Sequence, residues 1–77
     1  MLSNKPMRLL EKRSVSIAGH RTSVALEPEF WEILKRAAGR ENIGLARLIA
    51  QIDSARGSRP LESALRLHAL AAVQVQS

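Results

Sequence analysis

The sequence predicts a mainly α-helical domain with a short β-ribbon near its N terminus. Residues 13–18 and 21–26 alternate between apolar or β-branched side chains and small polar ones, which is typical of half-buried strands. After Pro28 the period changes, and apolar residues recur every three or four positions, as on one face of an amphipathic helix. The predicted order is an arm, one or two strands, and helices over about 28–41, 45–56 and 60–74.

The two alternating segments are separated by "AGHR", residues 18–21. Gly19 at the first central position of a two-residue loop would join them into a hairpin within one chain, and a kink between an arm and a strand fits the same residues. Because a lone hairpin is only marginally stable, a monomer built on this hairpin alone is disfavoured. A four-stranded arrangement, in which the inner strands of two hairpins pair across a two-fold axis, is compatible with a dimer and stays open.

The first helix carries start and stop signals. Pro28 fits the first helical position, where its missing N–H costs nothing, and Glu27 is expected to serve as the N-cap with its carboxylate as acceptor. Asn42 is expected in the left-handed conformation that ends helices, with Ile43 folding back on the last turn. The predicted apolar face consists of Phe30, Ile33, Leu34, Ala37 and Ala38, with Trp31 packing at its edge.

The second and third helices follow two short breaks. Gly44 is the expected N-cap of the second helix, and Pro60 is expected to open the third. A helix that is apolar on two sides usually lies between partners, and the third helix fits that description. The stripe of the second helix consists of Leu45, Leu48, Ile49, Ile52 and Ala55. In the third helix, the first stripe consists of Leu61, Ala64, Leu65, His68 and Ala72, and the second consists of Leu67, Leu70 and Ala71.

Size and composition point to oligomerisation. The chain has 77 residues and no cysteine, and domains of this size bury only about 60% of their unfolded surface. They are usually stabilised by disulfides, a metal or association with another chain. Two histidines 48 positions apart do not suggest a zinc site, so we expect no metal and no cofactor, and association with a second copy remains.

The charge is concentrated at the N terminus. The chain carries +5 overall, and residues 1–26 hold five basic side chains and one acid. Such an imbalance indicates contact with a polyanion, although it also fits an ordinary solubility charge. No apolar run long enough for a membrane span or a signal peptide occurs, so we expect a cytoplasmic protein, associated with the nucleoid if it binds DNA. No catalytic motif is visible, and we expect no enzyme activity.

The strings "RSVSIAGHRTSVALEPEFWEIL" and "NIGLARLI" resemble the ribbon-helix-helix superfamily, and more narrowly a short bacterial ribbon-helix-helix domain family. The resemblance covers roughly residues 13–72. It implies an intertwined homodimer with an extra C-terminal helix, in which the strand finds its partner in a second copy. We therefore expect a flexible basic arm over 1–12 and a single domain over 13–75. The implied dimer core comprises Val24, Leu26, Phe30, Leu34, Leu48, Ile49 and Ile52.

The resemblance also implies binding to double-stranded DNA by a small transcriptional regulator. A two-stranded ribbon fits the major groove, and Arg21, Ser23 and Ala25 would face the base edges. The first N–H groups of the second helix would hold a phosphate. Gly44 stands where family members commonly have Ser or Thr, so one hydroxyl is missing there. The expected phosphate contacts are Gly44, Leu45, Ala46 and Arg47, joined by Lys12 and Arg13.

A different class of function fits the same residues. The chain could be a protein-interaction or dimerisation module, antitoxin-like or an adaptor, whose third helix binds a protein partner. That reading predicts sensitivity to substitution at Leu67 and Leu70, whereas DNA binding predicts sensitivity at Arg21 and Arg47. For the remaining candidates the structural interpretation is favoured: His20 belongs to a turn, His68 to a core or interface, and Trp31 to packing.

Overall fold

The computed structural model describes residues 9–76, except the side chains of Val75 and Gln76. Residues 1–8 of the expected arm lie outside the described residues. The predicted order of elements is confirmed, with a two-stranded antiparallel sheet followed by three helices. The elements are β1 (Glu11–Ile17), β2 (His20–Leu26), α1 (Pro28–Arg40), α2 (Leu45–Ala55) and α3 (Leu61–Gln76).

β1 and β2 form a hairpin within one chain, so the hairpin alternative is the one observed. The register pairs Glu11 with Leu26 at the open end and Ile17 with His20 at the turn. The loop therefore consists of Ala18 (φ 52°) and Gly19 (φ 82°). Positive φ at both central residues defines a type I′ turn, whose twist matches that of the strands. The expectation that Gly19 would be the first central residue is wrong by one position.

The three helices pack on one face of the hairpin. α2 contacts β1, α3 contacts β2, and α1 contacts both α2 and α3. Leu34, Leu48, Ile49 and Leu65 are at most 1% exposed, because each points from its helix toward the middle of this layer. The core is completed by Ile17, Val24 and Leu26 from the strands, by Trp31, Ala37 and Ala38 from α1, by Ile52 from α2, and by Ala64 and Ala69 from α3.

This core is already closed within a single chain, and the expectation that a second copy shares it stays a prediction. The resemblance implied that a second copy would help to bury seven side chains. Six of them, Val24, Leu26, Leu34, Leu48, Ile49 and Ile52, are already buried within the chain, whereas Phe30 is half-buried. The third helix supplies the missing cover, because Ala64, Leu65 and Ala69 pack against the same cluster.

The ends of α1 confirm two sequence signals and correct a third. Pro28 occupies the first turn, as predicted. Asn42 has φ 62°, and the Ile43 N–H donates to the Ala38 carbonyl at 3.0 Å, as in a Schellman motif. Glu27 occupies the N-cap position but makes no side-chain cap hydrogen bond, because its carboxylate accepts from α3 instead.

The turn residue Ala18 gives a test of the hairpin. A residue other than Gly, Asn or Asp in the left-handed region costs about 1–2 kcal/mol, and Asn-Gly is a preferred type I′ pair. We expect Ala18→Asn to raise the free energy of unfolding by about 1 kcal/mol, which corresponds to roughly 4–8 °C in Tm for a domain of this size. Thermal denaturation followed by circular dichroism measures this shift.

Gly19→Ala is the complementary variant for the same turn, and it is expected to change stability in the opposite direction. A Cβ added at Gly19 meets no atom within 4 Å, so any loss of stability in this variant comes from backbone strain rather than from a clash. We expect Gly19→Ala to lower Tm. A Tm that is unchanged or lowered by Ala18→Asn would contradict the type I′ geometry.

Candidate nucleic-acid interface

The face of the hairpin that points away from the helices is polar and carries no acid. Paired residues of an antiparallel sheet point to the same side, so the register brings Ser14 across from Ser23 and Ser16 across from Arg21. All four of these residues are exposed. The complete outward face consists of Lys12, Ser14 and Ser16 from β1 and Arg21, Ser23 and Ala25 from β2.

Two cations and no carboxylate on this face favour an anionic partner. Lys12 lies across from Ala25, which is half-buried, at the open end of the hairpin. Arg21 lies near the turn. The serine hydroxyls between them can both donate and accept hydrogen bonds, which suits contacts with phosphates as well as with base edges.

The structure separates Arg13 from Lys12. Arg13 points toward the helices, where its guanidinium contacts the Glu11 carboxylate at 2.6 Å and lies 4.8 Å from the centre of the Trp31 ring. A side chain held in this way is not part of the outward face. The expected pairing of Lys12 and Arg13 as neighbouring phosphate contacts is therefore not supported for Arg13.

Trp31 attaches α1 to the first residue of the hairpin. Its ring is 1% exposed, and its indole N–H donates to the Glu11 carbonyl at 2.8 Å. The prediction that Trp31 would only cover the edge of the apolar face is wrong, because the ring is a central part of the core. This hydrogen bond fixes the open end of β1 against α1 and so orients the outward face.

A second connection joins the end of β2 to α3. Arg66 donates from Nε to the Glu27 carboxylate at 3.0 Å, and its guanidinium lies 5.9 Å from the centre of the Phe30 ring. The Arg66 guanidinium lowers the pKa of Glu27 below its ordinary value. Glu27 lies between β2 and α1, so this ion pair holds the junction between the ribbon and the helices.

The N terminus of α2 lies on the helical side of the sheet. Gly44 has extended backbone dihedrals and no side-chain cap, and the first helical hydrogen bond runs from the Leu48 N–H to the Gly44 carbonyl at 3.1 Å. The preceding N–H groups, those of Leu45 to Arg47, have no partner inside the helix. Ala46 and Arg47 are exposed and Leu45 is half-buried. Because α2 packs on the inner face of β1, the expected phosphate site does not adjoin the outward face within one chain.

Sequence alternation identified Arg21, Ser23 and Ala25 correctly as residues of one strand face. It did not include Ser14 and Ser16 in the candidate interface, although the same alternation was visible there. The missing signal was the register, because only a defined turn shows which residues of β1 lie beside those of β2.

Among residues 9–76 there is no group of His, Asp or Glu side chains that could hold a metal ion. In the same part of the chain, no helix is both long and apolar enough to cross a lipid bilayer.

The family model of the ribbon-helix-helix domain matches residues 10–73, which include both strands, α1, α2 and most of α3. Comparison with curated proteins and with solved structures finds no significant match.

The Glu27–Arg66 ion pair predicts a pH dependence of stability. A carboxyl group whose pKa is lowered by folding contributes stability above its unfolded pKa, near 4.5, and loses that contribution as the pH falls through the lowered folded pKa. We expect the stability advantage of the wild type over Glu27→Gln to be present at neutral pH and to vanish in strong acid. Urea denaturation across this range measures it.

Arg66→Gln is the matched variant, because it removes the other half of the pair. In the Arg66→Gln background, replacing Glu27 by Gln should lower the free energy of unfolding at neutral pH much less than it does in the wild type. If wild type and Glu27→Gln lose stability in parallel on acidification, the ion pair is not the cause.

Proposed function

Since the chain belongs to the ribbon-helix-helix domain family, we propose that it binds double-stranded DNA as a homodimer and regulates transcription, without enzyme activity of its own. The observation that carries this proposal is the outward face of the hairpin. It presents Lys12 and Arg21 among serines and contains no acidic residue.

The proposed dimer joins the free edges of β2 from two chains. Within residues 9–76, β2 pairs only with β1, so its other edge has backbone N–H and C=O groups available for a further strand. Residues 22–26 carry no charge, whereas β1 begins with Glu11, Lys12 and Arg13. Because charged side chains discourage pairing at a sheet edge, the β2 edge is the better partner for a second copy.

Pairing at β2 would create a four-stranded sheet in the order β1, β2, β2, β1. Strands in a sheet lie about 4.8 Å apart, so the outer strands would be separated by roughly 14 Å, which exceeds the major-groove width of about 12 Å. The two central strands would therefore enter the groove, and the outer strands would lie along its rims.

This arrangement divides the contacts between the strands. Arg21 and Ser23, on the central strands, would reach base edges, and Ala25 would offer only a methyl group, suited to thymine. Lys12, Ser14 and Ser16, on the outer strands, would contact phosphates. Phosphate contacts set position and salt dependence, whereas base contacts set sequence preference.

The N terminus of α2 would add a phosphate contact outside the sheet. Its N–H groups at Leu45 to Arg47 point out of the helix, and the helix dipole favours an anion there. The exposed Arg47 side chain would add a mobile charge. Since α2 packs under β1, the outer strand of the proposed sheet, this contact would be made only where the DNA backbone passes beyond that outer edge.

The proposed roles of the outer strands in phosphate contact and of the central strands in base contact can be tested by fluorescence anisotropy. The DNA is a duplex that the wild-type protein selects from a random pool. Lys12→Ala should weaken binding to all duplexes similarly and reduce the slope of log K against log salt by about two per dimer. Arg21→Ala should reduce the preference for the selected duplex by about 1–3 kcal/mol for each guanine that the arginine reads with two hydrogen bonds.

Arg36→Ala is the matched control, because it removes one exposed positive charge from α1. It should change affinity and salt slope less than Lys12→Ala does. The proposal fails if the three variants weaken binding equally, or if selection from the pool enriches no sequence and binding does not depend on salt.

A further inference from the structure

Two open clefts lie beside α3, on the flank that faces the C-terminal ends of α1 and α2. The first has a volume of about 290 Å³ and the second a volume of about 490 Å³. The first is lined by Ala37, Arg40, Glu41, His68, Ala71 and Ala72, and the second by Ile52, Ala55, Arg56, Arg59, Ala64, Leu67 and His68. Together we call them the α3 groove.

The periodicity of α3 shows that the two clefts lie end to end. Ala64, Leu67, His68 and Ala71 follow the spacing i, i+3, i+4, i+7, which places them on one flank of a helix, and His68 lines both clefts. From Ala64 to Ala72 the helix rises about 12 Å, or roughly two turns. The groove is thus long enough to take two turns of another helix.

The walls of the α3 groove combine small apolar side chains with charged and polar ones. Five of the lining residues named for the two clefts are alanines, of which Ala55 and Ala71 are exposed and Ala72 is half-buried. Such short side chains leave room for larger ones from a partner.

An apolar rim continues from the groove onto the exposed surface of α3. Leu67 is 47% exposed and Leu70 is 50% exposed. An exposed apolar strip beside a groove is typical of protein interaction surfaces. The predicted sensitivity of Leu67 and Leu70 in a protein-binding module thus has a structural basis in this rim.

The charges around the groove are mostly positive. Arg40, Arg56 and Arg59 line it, against the single acid Glu41. Arg56 is already engaged, since it donates to Asp53 at 2.7 Å and to the Arg59 carbonyl at 2.6 Å. Arg40 and Arg59 are exposed at opposite ends of the groove, one on each cleft.

We infer that the α3 groove binds an amphipathic helix of another protein, with leucine-like side chains on its apolar face and acidic residues flanking that face. Large apolar side chains would fill the space above the alanines, as in helix-in-groove recognition. Carboxylates at the two ends of the partner helix would meet Arg40 and Arg59.

The charge pattern favours such a partner over a second copy of this chain. The chain carries +5, and its own α3 holds one acid and one base in its first two turns, Glu62 and Arg66. Arg66 is, moreover, paired with Glu27. A second α3 therefore lacks the acidic flank that the groove would attract.

The test uses three fluorescein-labelled helical peptides of about fifteen residues, or four turns. The first peptide carries leucines on one face and glutamates on both sides of that face. The second peptide carries the same leucines with lysines in place of the glutamates. The third peptide keeps the glutamates and replaces the leucines by serines. Fluorescence anisotropy with the full chain should show binding of the first peptide, and at least tenfold weaker binding of the other two.

The Arg40→Glu/Arg59→Glu double variant should reverse the preference, so that the lysine peptide binds more tightly than the glutamate peptide. A misfolded variant could not show such a reversal. The loss for the glutamate peptide should be roughly five- to tenfold or more, as expected for two surface ion pairs. Lys35→Glu/Arg36→Glu makes the same charge change on exposed positions of α1 outside the groove and should keep the original preference.

Ala71→Leu tests the apolar part of the site by filling the groove. It should weaken binding of the glutamate peptide and leave the thermal stability of the chain close to that of the wild type. The inference is overturned if the wild type binds neither leucine peptide, if the serine peptide binds as well as the leucine peptide, or if the double variant keeps the original preference. It is also overturned if duplex DNA displaces the bound peptide, or if sedimentation shows that wild-type chains associate through this face and Ala71→Leu prevents that association.

Discussion

The register of the β1–β2 hairpin determines the two faces of this protein. Because side chains alternate along a strand, a slip of one residue would turn Val24 and Leu26 outward and bring Arg21 and Ser23 into the core. The turn at Ala18 and Gly19 sets the register at one end. At the other end, the Trp31 indole holds the Glu11 carbonyl at 2.8 Å. Both the closed core and the cationic outward face depend on these two attachments.

Much of the fold could be predicted from local rules in the sequence. Pro28 at the start of α1 and Asn42 at its end are predicted correctly, because capping depends on a few neighbouring residues. Interactions between distant residues could not be predicted in this way. The Glu27 carboxylate accepts from Arg66, which lies 39 positions away, instead of capping its own helix. The helical period alone places Trp31 at an edge, because it does not show that β1 covers that side.

The candidate interface could be predicted only in part for the same reason. Alternation places Arg21 and Ser23 on one face of a strand, but only the hairpin register joins them to Ser14 and Ser16. The third helix determines which parts of the remaining surface are available for partners. Because it closes the core within one chain, we propose the β2 edge for the dimer and the flank of α3 for a different partner. The outward face of the ribbon and the α3 groove lie on different layers of the domain, so DNA and a partner helix could bind together.

The central claim, that two chains join at the edges of β2, is tested most directly by distances between spin labels. The chain has no cysteine, so Ser23→Cys and its register partner Ser14→Cys each accept a single label on the outward face. Pulsed electron resonance on the dimer should give a shorter distance for position 23 than for position 14, because strand spacings of about 4.8 Å place β1 outside β2. A shorter distance for position 14, or no dipolar coupling between copies at either position, would contradict the account.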